Sequence, residues 1–197
     1  LMNVGQLRNQ GVELEINSTN FKTKDFEWKT TFNLSHNTNK VVNLDGDQTE
    51  IVSGTQIHKI GHSYRTFYMI EFAGINPENG NPQFYKNDLL EDGSYNKEIT
   101  EKASEAKSIM LDKHAEPNIT GGLYNSFRYK WFDLSFLFNY QFGGWSYDSW
   151  AQKTEHGGYD LEANIPTYYA DSWKKPGDVT KYELFYEKSS SVAMHKI

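Results

Sequence analysis

The most regular stretch of the chain runs from Phe132 to Phe142. Phe132, Leu134, Phe136, Phe138, Tyr140 and Phe142 fall on one side, and Asp133, Ser135, Leu137, Asn139 and Gln141 on the other. A period of two is the mark of a β-strand with two unlike faces. The preceding stretch alternates in the same way, with Ile119, Gly121, Leu123, Phe127 and Tyr129 against Thr120, Gly122, Tyr124, Ser126 and Arg128. Lys130-Trp131 leaves room only for a tight hairpin between them. Near the start, Val12, Leu14 and Ile16 oppose Glu13, Glu15 and Asn17. After a short polar turn at 20–25, Phe26, Trp28, Thr30, Phe32 and Leu34 oppose Glu27, Lys29, Thr31, Asn33 and Ser35. The pattern therefore predicts four long strands, over 11–19, 26–35, 118–129 and 132–142, in two hairpins.

Residues 36–117 and 143–187 separate and follow these hairpins. Within the first, an aromatic run from Tyr64 to Ile75 stops at Asn76-Pro77-Glu78-Asn79-Gly80-Asn81-Pro82, a strong turn signal. Gln83-Phe84-Tyr85 is then expected to pair back as a small hairpin inside the loop. Residues 98–111 read as a short helix.

The Phe132–Phe142 strand has the roughly 9–11 residues with which a tilted strand crosses a bilayer. One apolar face and one polar, mostly uncharged face suit a wall between lipid and a wet interior. A soluble β-sandwich strand, apolar inward and polar outward, gives the same alternation. Connection lengths favour the membrane: short turns alternate with long excursions, as in bacterial outer-membrane barrels. The expected fold is all-β and antiparallel, a segment of a large transmembrane β-barrel with 36–117 and 143–187 as extracellular loops.

Composition supports an all-β chain, since 13 Tyr and 12 Phe suit a pleated, half-buried surface. A mean hydropathy of -0.74 leaves no run for a membrane helix, but barrel strands average out as polar. The net charge of -6, with scattered basic residues, offers no patch for nucleic acid. With no cysteine, thiolate metal sites and cysteine nucleophiles are excluded. Leu1-Met2-Asn3-Val4-Gly5 lacks the basic start and apolar run of a signal peptide, and 189–197 reads as the approach to a further strand. The chain is therefore expected to be a piece of a larger protein.

Several motifs, in order, carry a family resemblance. They are Asn3-Val4-Gly5 with Arg8-Asn9-Gln10-Gly11-Val12-Glu13-Leu14, then Trp28-Lys29-Thr30-Thr31-Phe32-Asn33-Leu34-Ser35, and then the turn Ala73–Pro82. Tyr129-Lys130-Trp131-Phe132-Asp133-Leu134-Ser135, Tyr140-Gln141-Phe142-Gly143-Gly144 and, less closely, Asp171-Ser172-Trp173 before Pro176-Gly177-Asp178 complete the set. Together they resemble the C-terminal barrel half of SusC/RagA-type TonB-dependent transporters. The resemblance implies a Bacteroidetes-like outer membrane and active import of glycans or oligosaccharides, and sometimes peptides. It also implies a SusD-like surface lipoprotein as cap and a TonB–ExbB–ExbD complex acting on a plug domain. No plug, TonB-contacting box or terminal aromatic-ended strand lies in this stretch. The second reading is a soluble β-sandwich that binds carbohydrate.

The loop after Gly144 is rich in aromatics, and Trp145, Tyr147, Trp150, Tyr168, Tyr169 and Trp173 are the candidate ligand or partner contacts; Tyr159 belongs to the same group. Flat rings with polar tips stack on sugars and suit a wet interface. The alternative is a small loop core or an interfacial girdle. His58 and His62 lack a nearby carboxylate that would complete a zinc set, and Asp45-Gly46-Asp47 with Glu50 lacks EF-hand spacing. Gly121-Gly122 and Gly143-Gly144 mark bulges or close backbone approach rather than phosphate cradles. Glu13 and Glu15 share a strand face as lumen lining or solvated charge. No catalytic residue, metal site or cofactor site is expected, and no enzyme.

Overall fold

The computed structural model describes residues 5–157 and 164–185. The motif residues Asn3-Val4, the aromatic Tyr159 and the strand approach at 189–197 lie outside them. β1 (Gly5–Lys22) and β2 (Phe26–Leu44) form the first hairpin. The long connection that follows carries β3 (Glu50–Ser53), β4 (Gln56–Lys59), β5 (Thr66–Ile70), β6 (Phe72–Ile75), β7 (Pro82–Tyr85), β8 (Ile99–Thr100) and β9 (Ser108–His114). The second hairpin is β10 (Ile119–Tyr129) and β11 (Phe132–Phe142), followed by the short helix α1 (Ser149–Thr154).

The two hairpins lie side by side in one antiparallel sheet ordered β1-β2-β10-β11. Ile16, Phe32, Leu123 and Phe138 share one row of this sheet, and Glu15, Asn33, Gly122 and Asn139 the next. Because paired residues point to the same side, the separate alternations of the four strands merge into one apolar and one polar face. Phe132, Leu134, Phe136, Phe138 and Phe142 are 39–61% exposed, so among the described residues no second layer seals this ridge.

At about 3.3 Å per residue and a tilt of about 40°, the 11 residues of β11 rise about 28 Å, close to the roughly 25 Å apolar band of such barrels. β1 and β2 have 18 and 19 residues and overshoot that band at the end away from the short turns. β2 thus continues to Leu44, beyond the expected limit at residue 35. Polar residues occupy both faces there, so hydrophobic period gives no signal, and pairing with β1 extends the strand instead.

The apolar face has a local device at Gly121. Its missing side chain lets the Tyr140 ring lie across the backbone, where a Cβ would collide with that ring and with the Asn33 carbonyl. The Tyr140 hydroxyl donates to the Asn33 carbonyl oxygen at 2.7 Å. An aromatic over a cross-strand glycine restores the packing the glycine lacks. Nearer the short turns, a string of polar side chains crosses the same face. Asn20 Nδ2 donates to Thr30 Oγ1 at 2.5 Å, and Thr30 Oγ1 donates to Asn125 Oδ1 at 2.7 Å, as does Trp28 Nε1 at 3.0 Å. Mutual hydrogen bonding makes such groups tolerable in an apolar band.

The chain divides into two compact units, one of residues 1–67 and 111–145 and the other of 68–110 and 146–197. In the first, the core gathers Val41, Leu44, Ile57 and Phe67, with Val41 held by its N–H to the His62 carbonyl and its carbonyl from the Gly61 N–H. In the second it gathers Met69, Phe84, Ile109 and Tyr169. Val41 and Leu44 come from the outer end of β2, where it pairs with β1, and the other six come from the two long connections.

The expected loop hairpin exists as β6 paired with β7 across 76–81, while β5 joins β4 in a different sheet. The expected helix at 98–111 is absent. Its charged spacing imitates a helical surface, but its backbone is taken by neighbouring strands. The Lys86 N–H donates to the Glu98 carbonyl, the Lys107 N–H to the Lys86 carbonyl, and Ile99 pairs with Tyr85. Only a 3-10 turn, Ala103–Glu105, remains.

Candidate functional site

The polar face of the long sheet is the first candidate surface. Glu13, Glu15, Asn33, Ser35, Thr120 and Asn139 line an open recess of about 510 Å³. Glu15 accepts from Asn17 Nδ2 at 2.7 Å, and Asn17 Oδ1 accepts from Thr31 at 2.7 Å, so the wall is laced across strands. A second recess of about 580 Å³ lies above it, toward the overshooting ends of β1 and β2. Asn9, Glu13, Asn37, Asn39, Tyr64 and Glu116 are among its lining residues.

Tyr64 is fixed from two directions. Its N–H donates to Asn39 Oδ1 at 2.6 Å, and its ring stacks on His58 with centroids 4.6 Å apart. The next residue, Arg65, has a φ of 58°, a left-handed conformation that is costly for a side-chain-bearing residue. Its contacts hold it there. Its guanidinium donates to Glu116 at 3.2 Å and Gln56 at 3.3 Å, and its carbonyl accepts from Ala115. Partial burial and the nearby Arg65 charge push the His58 imidazole below its ordinary range, toward the neutral form that stacks without charge. None of these residues stood out as a site in the sequence.

The six aromatics of the last connection part company. Trp145, in the first unit, is 45% exposed, but the Lys113 ammonium sits over its ring at 3.9 Å. The other five belong to the second unit. Tyr147 is half-buried. Trp150 stands 73% exposed on α1, which Asp148 caps by accepting from the Trp150 and Ala151 N–H groups. Tyr168 is 42% exposed, stacks on Tyr182 at 5.2 Å and donates its hydroxyl to Glu155, which pushes the phenol up to about 12.

Tyr169 is 1% exposed and packs against Tyr182 and Phe185 inside the loop core. Trp173 is half-buried and engaged on two sides. Its ring covers Gly80, where a Cβ would sit 2.6 Å from ring atoms, and its Nε1 donates to the Pro77 carbonyl at 2.8 Å. The Gly177 N–H also donates to the Pro77 carbonyl, and the Leu184 N–H to that of Gly80. On the other side of the turn, Glu101 accepts from the side-chain amides of Asn76, Asn79 and Asn81 at 2.5–3.1 Å. These three amides hold its carboxyl below the usual range. Tyr169 and Trp173 are therefore packing residues of the loop, while Trp150 and Tyr168 keep open faces.

No protein-family model matches the chain. TonB-dependent receptor P3 of Formosa agariphila is 34% identical over 162 residues, which is 73% of this chain and 16% of that receptor. TonB-dependent receptor SusC of Bacteroides thetaiotaomicron is 28% identical over 147 residues, 68% of this chain and 14% of SusC. Among solved structures, the RagAB peptide transporter superposes with a TM-score of 0.82 at 26% identity, covering 96% of this chain and 21% of the matched chain. The chain thus spans about a fifth or less of the proteins it matches. Its two-faced sheet, its alternation of short and long connections and these likenesses agree: the chain belongs to the SusC/RagA-type TonB-dependent receptors of the outer membrane.

Proposed function

We propose that this chain is part of an outer-membrane importer energised through TonB, whose cargo is a glycan, an oligosaccharide or a peptide. The observation that carries this reading is the continuous polar face across β1, β2, β10 and β11, set back to back with a continuous apolar one. In a closed barrel such a wall puts hydroxyls, amides and a few carboxylates along a wet passage and rings against lipid. The long connections 36–117 and 143–187 then face outward, where cargo arrives. A SusD-like lipoprotein caps the barrel there, and a TonB–ExbB–ExbD complex pulls on a plug domain supplied by the rest of the protein. Trp150 and Tyr168 are the open aromatics with which the outer surface meets cargo or lipoprotein.

The test is uptake by cells that carry the full-length receptor. Labelled oligosaccharides and peptides should enter cells with the gene and stay outside when it is deleted or when TonB is removed. Trp150→Ala with Tyr168→Ala should slow uptake or loosen the lipoprotein while the barrel still assembles. Entry of every cargo at the same rate without the receptor refutes the importer reading.

A further inference from the structure

The upper recess of the first unit has a chemistry that narrows the cargo. Its lining combines three side-chain amides (Asn9, Asn37 and Asn39), two carboxylates (Glu13 and Glu116) and the ring of Tyr64. The register explains the convergence: Asn9 pairs with Asn39 and Gly11 with Asn37, so the amides stand in adjacent rows on the polar face. Gly11 keeps that wall low, since a Cβ there would lie 3.2 Å from Asn37 Oδ1 and closer still to the His36 carbonyl. Tyr64 is backed by His58 on one face and pinned through its N–H, so the ring enters the recess already positioned. The cost of Arg65 at a φ of 58° goes into that placement.

The charges are one-sided. Among the described residues no lysine or arginine lines the recess. Arg65, bonded to Glu116 and Gln56, is committed there. Glu13 forms no ion pair among the described residues. The recess thus presents acceptors and amides, one flat ring and an uncompensated carboxylate.

We propose that this recess is a cargo subsite for an uncharged pyranose unit, with Tyr64 as its stacking face and Glu13 as the residue that turns away uronate and sulfated sugars. The proposal rests on the importer reading above. A pyranose offers the apolar ring face and the several hydroxyl donors that this lining can use. A peptide offers one N–H per residue and leaves the carboxylates less well satisfied. An anionic sugar meets Glu13 with no lysine or arginine among the described lining residues to offset it, and like charges at close range oppose binding.

The experiment is direct binding to the purified full-length receptor, so failure of transport does not obscure it. Neutral gluco- and manno-oligosaccharides, an oligouronate and neutral peptides of matched length are titrated by calorimetry. Neutral sugars should bind more tightly than the oligouronate by about tenfold at low salt, and the gap should shrink as salt rises. Tyr64→Ala should weaken neutral sugars by about three- to tenfold. Glu13→Lys, an exposed strand position that leaves Tyr64 in place, should reverse the preference toward the oligouronate. Equal affinity of neutral and anionic sugars in both the natural protein and the Glu13→Lys variant overturns the proposal. So does peptide binding that depends on Tyr64 while no sugar binds. If uptake fails in cells but these affinities behave as stated, the subsite stands and the importer reading falls.

Discussion

Replacing Gly80 by alanine tests how the turn at 76–81 and the segment at 173–184 hold each other. Gly80 has a φ of 75°, where an L side chain costs about 1–2 kcal/mol. The new methyl would also sit 2.6 Å from the Trp173 ring, which must then move and give up its hydrogen bond to the Pro77 carbonyl, worth about 1 kcal/mol. The sum, about 2–3 kcal/mol, should appear as easier local opening and not as loss of the barrel. The natural readout is hydrogen exchange in the full-length receptor. The Gly177 and Leu184 amides, bonded to the Pro77 and Gly80 carbonyls, should lose protection by about 30- to 150-fold. In a Trp173→Ala background the clash is gone, and the same substitution should cost only the backbone term, about 1–2 kcal/mol. Equal losses in the two backgrounds, or none in either, would show that Trp173 does not rest on Gly80.

Other outcomes follow from the faces of the sheet and from one titrating group. Phe138→Arg, on the apolar face, should cost about 2–4 kcal/mol of folding into bilayers, while Leu137→Arg, on the polar face, should cost little; equal assembly of the two variants contradicts the assignment of faces. Tyr140→Phe, which loses the bond to the Asn33 carbonyl, should lower stability by about 1 kcal/mol in a denaturant titration; an unchanged midpoint argues against that contact. His58 has a depressed folded-state value, so the unfolded chain takes up its proton first. Its contribution is intact above the unfolded value of about 6.5 and lost as pH falls through the folded one. Acidification across that window should therefore loosen the β4–Tyr64 region, and His58→Asn should flatten the dependence; a dependence that survives His58→Asn assigns it to another group.

The sequence alone determined what depends on period and chemistry. Alternation from Phe132 to Phe142 requires a strand with one apolar side. Four such strands, joined by short and long connections in turn, require paired hairpins. Those features are local, because a strand's side chains alternate whatever its neighbours do. The turn at 76–82 was legible for the same reason, with Pro, Gly and Asn setting the backbone by themselves.

Only the tertiary structure decided the rest. The outer halves of β1 and β2 carry polar residues on both faces, so their strand character comes from pairing with each other. Residues 98–111 have the charges of a helix, yet strand neighbours claim their backbone hydrogen bonds. Trp173 and Tyr169 look like Trp150 and Tyr168 in a string of letters. Trp173 lies over Gly80, far off in sequence, and Tyr169 is sunk against Tyr182 and Phe185; local pattern carries no record of those contacts. The recess around Tyr64 is the same case. Its lining groups come from four separated stretches; strand register aligns Asn9, Glu13, Asn37 and Asn39, and loop contacts bring Tyr64 and Glu116 to them.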